Sequence, residues 1–156
     1  MQFLTFMLGG EMYAMGILAI KEIIEYSSLT EVPMMPASVR GVINLRGSVV
    51  PVVDLAVRFG RAPGAVTKRT CIVIVEISLN DARQDVGVVV DAVNEVLEIA
   101  PADIEPPPTF GTRIRTDFIH GMGKVNNRFV ILLDANRVLS LDELAEIAEQ
   151  AVAPAA

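Results

Sequence analysis

Three aspartates, Asp54, Asp91 and Asp134, each follow a run of aliphatic residues, which puts a carboxylate at the end of each of three expected strands. Gathered in one cleft, within about 8 Å of each other and with raised pKa values, such groups could do general acid-base work. A strand-end aspartate has a plainer use, which is to accept backbone N–H groups where a turn starts or a helix is capped. Capping is the expected role of all three. His120 and Cys71 are the only residues of their types and sit in no ligand-like cluster, so a zinc site of the N/S kind is excluded. His120 reads as a strand-edge or surface residue, and Cys71, within Thr-Cys-Ile-Val-Ile-Val, as a buried inert thiol with no disulfide partner. Gly9-Gly10 falls between two strands with no helix after it, so it reads as a hairpin turn and not as a phosphate cradle. Arg46 is the one charged side chain singled out for binding. It lies in a turn between Leu45 and Gly47, with no sequence-local acid to hold it, and is expected to project into solvent. No catalytic residue, metal or cofactor is expected.

The elements that must position these residues are short. Runs of Val, Ile and Leu broken by Gly, Pro, Asn and Asp predict strands near 2–8, 11–16, 23–27, 41–46, 49–53, 70–79, 84–90, 96–99, 119–125 and 128–133. Helical turns are expected after Asp54 and Asp134, and a helix over 140–150, capped by Ser140, before a disordered tail at 151–156. The pattern repeats within the chain. Residues 13–23 lie over 86–96 at an offset of 73 (86 − 13), and 41–54 lie over 121–134 at an offset of 80 (121 − 41). The second pair reads as two hairpins with turns at Arg46-Gly47 and Asn126-Asn127, residues that tolerate positive φ. The predicted fold is therefore all-β, with two barrel-like lobes over about 1–67 and 68–139, joined near 60–67. A terminal strand could still cross from one lobe to the other.

Composition narrows the function further. A net charge of −6 and a pI near 4.8 argue against nucleic acid, whose phosphates need a clustered basic face. Lys68-Arg69 and Arg113/Arg115 are too isolated to make one. Although mean hydropathy is high at +0.48, no apolar run approaches the ~20 residues of a membrane-spanning helix. The first cation is Lys21 and Glu11 interrupts the apolar start, which disfavours a secretory leader. Met34-Met35, between Pro33 and Pro36, are expected to be exposed to an apolar partner helix.

The stretch Gly41-Val-Ile-Asn-Leu-Arg-Gly47, followed by Val50-Pro-Val-Val-Asp-Leu55, resembles the signature of CheW-type chemotaxis coupling proteins. Further matches are Phe3-Leu-Thr-Phe6, Ile20-Lys-Glu-Ile23, Val86-Gly-Val-Val-Val-Asp-Ala-Val93 and Ile119-His-Gly-Met-Gly123, and the resemblance covers nearly all of 2–145. It implies two packed SH3-like five-stranded β-barrels. It implies a cytoplasmic, non-enzymatic adaptor recruited to membrane-associated receptor arrays, bridging the cytoplasmic tips of methyl-accepting chemoreceptors to the regulatory domain of a histidine autokinase. Other copies of the coupler in an array are further partners it brings in. Carried over by residue, the receptor-facing surface is Gly41, Asn44 and Arg46, and the kinase-facing surface is Ile20 and Glu22. A receptor helix is expected in a groove between the lobes. Ala56 departs from the family pattern, which often has arginine there. Two other readings stay open: a small-molecule module using the interlobe groove, and a fragment of a kinase or receiver-containing coupling protein, against which the length argues.

Overall fold

The computed structural model describes residues 1–27, 29–79, 81–106 and 119–139. The expected helix over 140–150, the tail at 151–156 and Arg113/Arg115 lie outside them. Strand β1 (Gln2–Leu8) turns through Gly9-Gly10 into β2 (Glu11–Gly16), with Leu8 opposite Glu11. Both glycines have positive φ, as a two-residue hairpin of this twist requires. After a 3-10 turn at Ile17–Ala19 come β3 (Ile20–Glu25), β4 (Val39–Leu45), β5 (Ser48–Asp54) and the single-turn helix α1 (Leu55–Arg58). A largely exposed connection over 60–69 leads to β6 (Cys71–Leu79), β7 (Ala82–Val90) and β8 (Ala92–Glu98). The two-residue β9 (Ile104–Glu105), then β10 (Ile119–Val125), β11 (Arg128–Leu133) and the short helix α2 (Ala135–Val138) complete the order. The sequence did not reveal β9. It also placed the starts of β3 and β8 too late, since both begin on alternating stretches that only their sheet partners turn into strand.

The fold is all-β, but its two sheets are open: one of five strands ordered β3-β6-β7-β5-β4, the other of six ordered β8-β1-β2-β11-β10-β9. Closure comes from chain that swings across from the far edge. Beyond β3, Thr30 and Val42 exchange backbone hydrogen bonds of 3.0 and 2.9 Å, while in the other sheet β9 pairs with Met122 and Gly123 of β10. Both crossings pass over a glycine. A Cβ on Gly41 would lie 2.4 Å from the Thr30 carbonyl oxygen, and one on Gly121 3.0 Å from that of Glu105.

Sheet membership also corrects the division of the chain into 1–67 and 68–139. The β1–β2 hairpin belongs to the sheet of β8 to β11, and the β6–β7 hairpin to the sheet of β3 to β5. Strand β2 pairs in parallel with β11, and β7 in parallel with β5. The repeat seen in the sequence is real, but each copy lends its first hairpin to the other.

This exchange explains why consecutive residues of these strands, Phe3 to Phe6, Tyr13 to Met15, Ile72 to Val75 and Val86 to Val90 among them, are buried on both faces. On one side, Leu4, Phe6, Leu8 and Met15 meet Val73, Val75, Val86 and Val88 in the core between the sheets. On the other, Phe3 and Ala14 pack with Val130 and Leu132, and Ile72 and Ile74 with Val50 and Val52. The helices lock the lobes further, since Arg58 Nε donates to the Val138 carbonyl (3.0 Å) and the Ser78 amide donates to Asn136 Oδ1 (2.9 Å).

Tyr13, fully buried, ties the connection to this core. Its hydroxyl donates to Glu11 Oε2 (3.1 Å), and Arg61 Nη2 donates to the same carboxylate (3.2 Å). Burial, reinforced by the Glu11 charge, pushes the phenol up to about 12. The folded state thus favours the protonated ring, and its contribution is intact below pH 10 and lost as pH rises toward 12. Stability measured by urea unfolding should fall by on the order of 1 kcal/mol per pH unit across that window, and Tyr13→Phe should flatten the decline. Cutting the chain once at Gly64 should leave one particle holding both pieces, read by size exclusion, whereas either piece alone should give a disordered far-UV spectrum.

Candidate partner-binding site

The β4–β5 hairpin is held at its base and free at its tip. At the base, Asp54 is buried and its side chain accepts from the Ala56 (3.0 Å) and Val57 (3.4 Å) amides, which starts α1. Its other oxygen takes Arg40 Nε at 2.7 Å; Arg40 also donates to the Tyr26 hydroxyl (3.1 Å) and the Gly64 carbonyl (3.3 Å). Arg40 was missed in the sequence because its partners come from three separate segments. At the tip, Arg46 and Gly47 have φ of 51° and 85°, and Asn44 Oδ1 accepts from the Gly47 amide at 2.8 Å.

The residues expected at the site take different places. Arg46 projects into solvent as expected, its side chain 71 % exposed, and its guanidinium is bonded to the Glu22 carboxylate, an acid distant in sequence. Glu22 lies on β3, at the opposite edge of the same sheet, so only the curl of the sheet makes the pair. That hydrogen bond and charge hold the Arg46 guanidinium above its ordinary pKa. Asn44 is exposed beside it, whereas Gly41 is buried at the Thr30 crossing, where it serves the sheet's closure. Ile20 is half-buried and packs against the core between the sheets. Glu22, Asn44 and Arg46 therefore come together at one end of the five-stranded sheet. Beside them lies a second charge cluster, in which Lys21 bridges Asp85 (3.2 Å) and Glu76 (3.6 Å) and Arg83 pairs with Glu76 (3.0 Å).

The space between the two sheets is filled by apolar side chains of the core. Open depressions remain at the surface. One of about 470 Å³ is lined by Met7, Met12, Met122, Arg128 and Phe129, with Phe129 52 % exposed. Met34 is 95 % exposed as expected, but Met35 packs against the core.

The three carboxylates are occupied by backbone groups. Asp91 Oδ2 accepts from the Gly9 amide (2.8 Å) and Asp134 Oδ1 from the Arg137 amide (3.2 Å). Asp91 and Asp134 line different depressions. Among the described residues no group of His, Cys, Asp and Glu could hold a metal ion. His120 is exposed on β10. Cys71 is half-buried where full burial was expected; desolvation, then the Glu25 charge, pushes its thiol up, away from nucleophilic use. The two capping aspartates differ in burial and partners, so their loss should differ too. Asp54→Ala should cost about 3 kcal/mol in urea unfolding, because it strands Arg40 as well as the helix start. Asp134→Ala, at the more exposed site, should cost about 1 kcal/mol.

Among known proteins, residues 2–143 match the CheW-like domain. The chain is 36% identical over 144 residues to the chemotaxis protein CheW of Klebsiella aerogenes, covering 92% of this chain and 84% of that one. To CheW of Bacillus subtilis it is 36% identical over 137 residues, covering 87% and 85%. The crystal structure of the scaffolding protein TtCheW from Thermoanaerobacter tengcongensis superposes with a TM-score of 0.80 at 34% identity, covering 91% of this chain and 89% of that one. The family match over residues 2–143, the identity to the relatives and the common fold agree: the chain belongs to the CheW-like domain family.

Proposed function

We propose that this protein is a non-enzymatic chemotaxis adaptor that couples the cytoplasmic tips of chemoreceptors to the regulatory domain of a histidine autokinase. The match of residues 2–143 to the CheW-like domain carries the reading, and similarity to a protein titled a scaffolding protein supports it. Asn44 and Arg46 form the receptor-facing tip, where the guanidinium offers a planar fork to receptor carboxylates or carbonyls. Gly41 acts from behind, by letting Thr30 close the sheet on which that tip stands. Ile20 and Glu22, on the edge strand β3, form the kinase-facing surface, apolar at one residue and polar at the other. The adaptor works in the cytoplasm, recruited to receptor arrays by its partners; no helix of the described residues is long and apolar enough to cross a membrane.

The test is a pull-down from cytosol and detergent-solubilised membranes with wild type and Arg46→Ala, read by mass spectrometry. Wild type should retain chemoreceptors and a histidine kinase. The variant should lose receptors by about tenfold or more, the scale of one charge-assisted contact, while keeping the kinase and an unchanged far-UV spectrum. Capture of neither partner by folded wild type would overturn the assignment.

A further inference from the structure

The topology divides the chain into two parts that have no complete sheet of their own. Within residues 1–59, β1 pairs with β2 and β4 with β5, but β3 has no ladder to either hairpin; only the Thr30–Val42 bridge joins them. Within residues 70–139, β6 pairs with β7 and β10 with β9 and β11, while among the described residues β8 has no ladder to either set. Every ladder that unites these pieces crosses between the two parts: β1 with β8, β2 with β11, β3 with β6 and β5 with β7. The covalent link between the parts is the connection over 60–69, almost all of it exposed.

Nothing in those four ladders depends on which chain supplies each part. We propose that two copies of this chain exchange parts, residues 1–59 of one completing both sheets with residues 70–139 of the other, so that the partner recognised by these strand edges is a second copy of the same protein. The exchanged dimer keeps the four crossing ladders and the buried core and changes the path of 60–69, so at high chain concentration mass action at the folding step favours it, and at low concentration closure within one chain wins. Once formed, either state persists, because exchange must break all four ladders and open the core between the sheets. An exchanged dimer carries two complete copies of the β4–β5 tip on one particle, which makes it a bivalent form of the adaptor.

The test uses the full chain with a specific protease site inserted after Gly64, unfolded in guanidinium and refolded over a hundredfold range of protein concentration. Refolding at the top of the range should yield a dimer with the monomer's far-UV spectrum, absent at the bottom of the range. Cutting the connection in the isolated dimer should halve its mass, since each half-particle holds one part from each chain. Refolding a mixture of ¹⁵N-labelled and unlabelled chains should then give half-particles with one heavy and one light part in native mass spectrometry. A dimer that keeps its mass after cleavage associates surface to surface and overturns the proposal, as does monomer alone, or aggregate without native structure, at every concentration.

Discussion

Everything else in this molecule depends on the crossing of two hairpins. Because β1–β2 lies in the sheet of the second repeat and β6–β7 in that of the first, the hairpins are buried on both faces and sit at the centre of the largest core among the described residues. Neither lobe is an independent barrel, and the sheets need not close by ladders of their own: a two-residue strand and a single bridge suffice at the far edges. Separate lobes would have had to pack two finished surfaces together. Here the interface between lobes is also the interior of the fold, so the relative placement of the lobes is fixed by the same apolar contacts that stabilise each one.

That rigidity positions the residues proposed to bind partners. With the β6–β7 hairpin inserted between its own strands, the five-stranded sheet has two strands at its margins, β3 and β4, which carry or adjoin the side chains proposed to face partners. The curl of the sheet brings the two margins together at one end, where Arg46 of the β4–β5 turn meets Glu22 of β3. Behind them, Gly41 lets the backbone of Thr30 approach, and the Arg40–Asp54 pair holds the base of the hairpin against the start of α1. The tip is thus polar and exposed on a support that is apolar and closed.

Local chemistry made much of this legible in the sequence. The hairpin turns at Gly9-Gly10, Arg46-Gly47 and Asn126-Asn127 follow from residues that tolerate positive φ, and the capping roles of Asp54 and Asp134 from their place after aliphatic strands. The internal repeat was visible for the same reason, since both copies meet the same local demands. What stayed hidden was long-range. Alternation and turn residues say nothing of which strand lies beside which, so the hairpin exchange, the pairing of Arg46 with Glu22 and the reach of Arg40 to Tyr26 and Gly64 could not be read. The core between the sheets was hidden on the same point, because residues such as Leu4, Phe6, Val73 and Val75 meet only once the hairpins have crossed.

The central claim, that a closed apolar support presents its working surface at one end of the five-stranded sheet, is tested most directly by amide chemical-shift mapping. The ¹⁵N-labelled protein would be titrated with a soluble helical-hairpin fragment of a chemoreceptor tip. Shifts concentrated at Asn44 to Gly47, with the amides of β10 and β11 unmoved, are the expected result. Shifts centred on the Asn126-Asn127 turn and Phe129 in the other lobe, with the β4–β5 tip unaffected, would contradict the account.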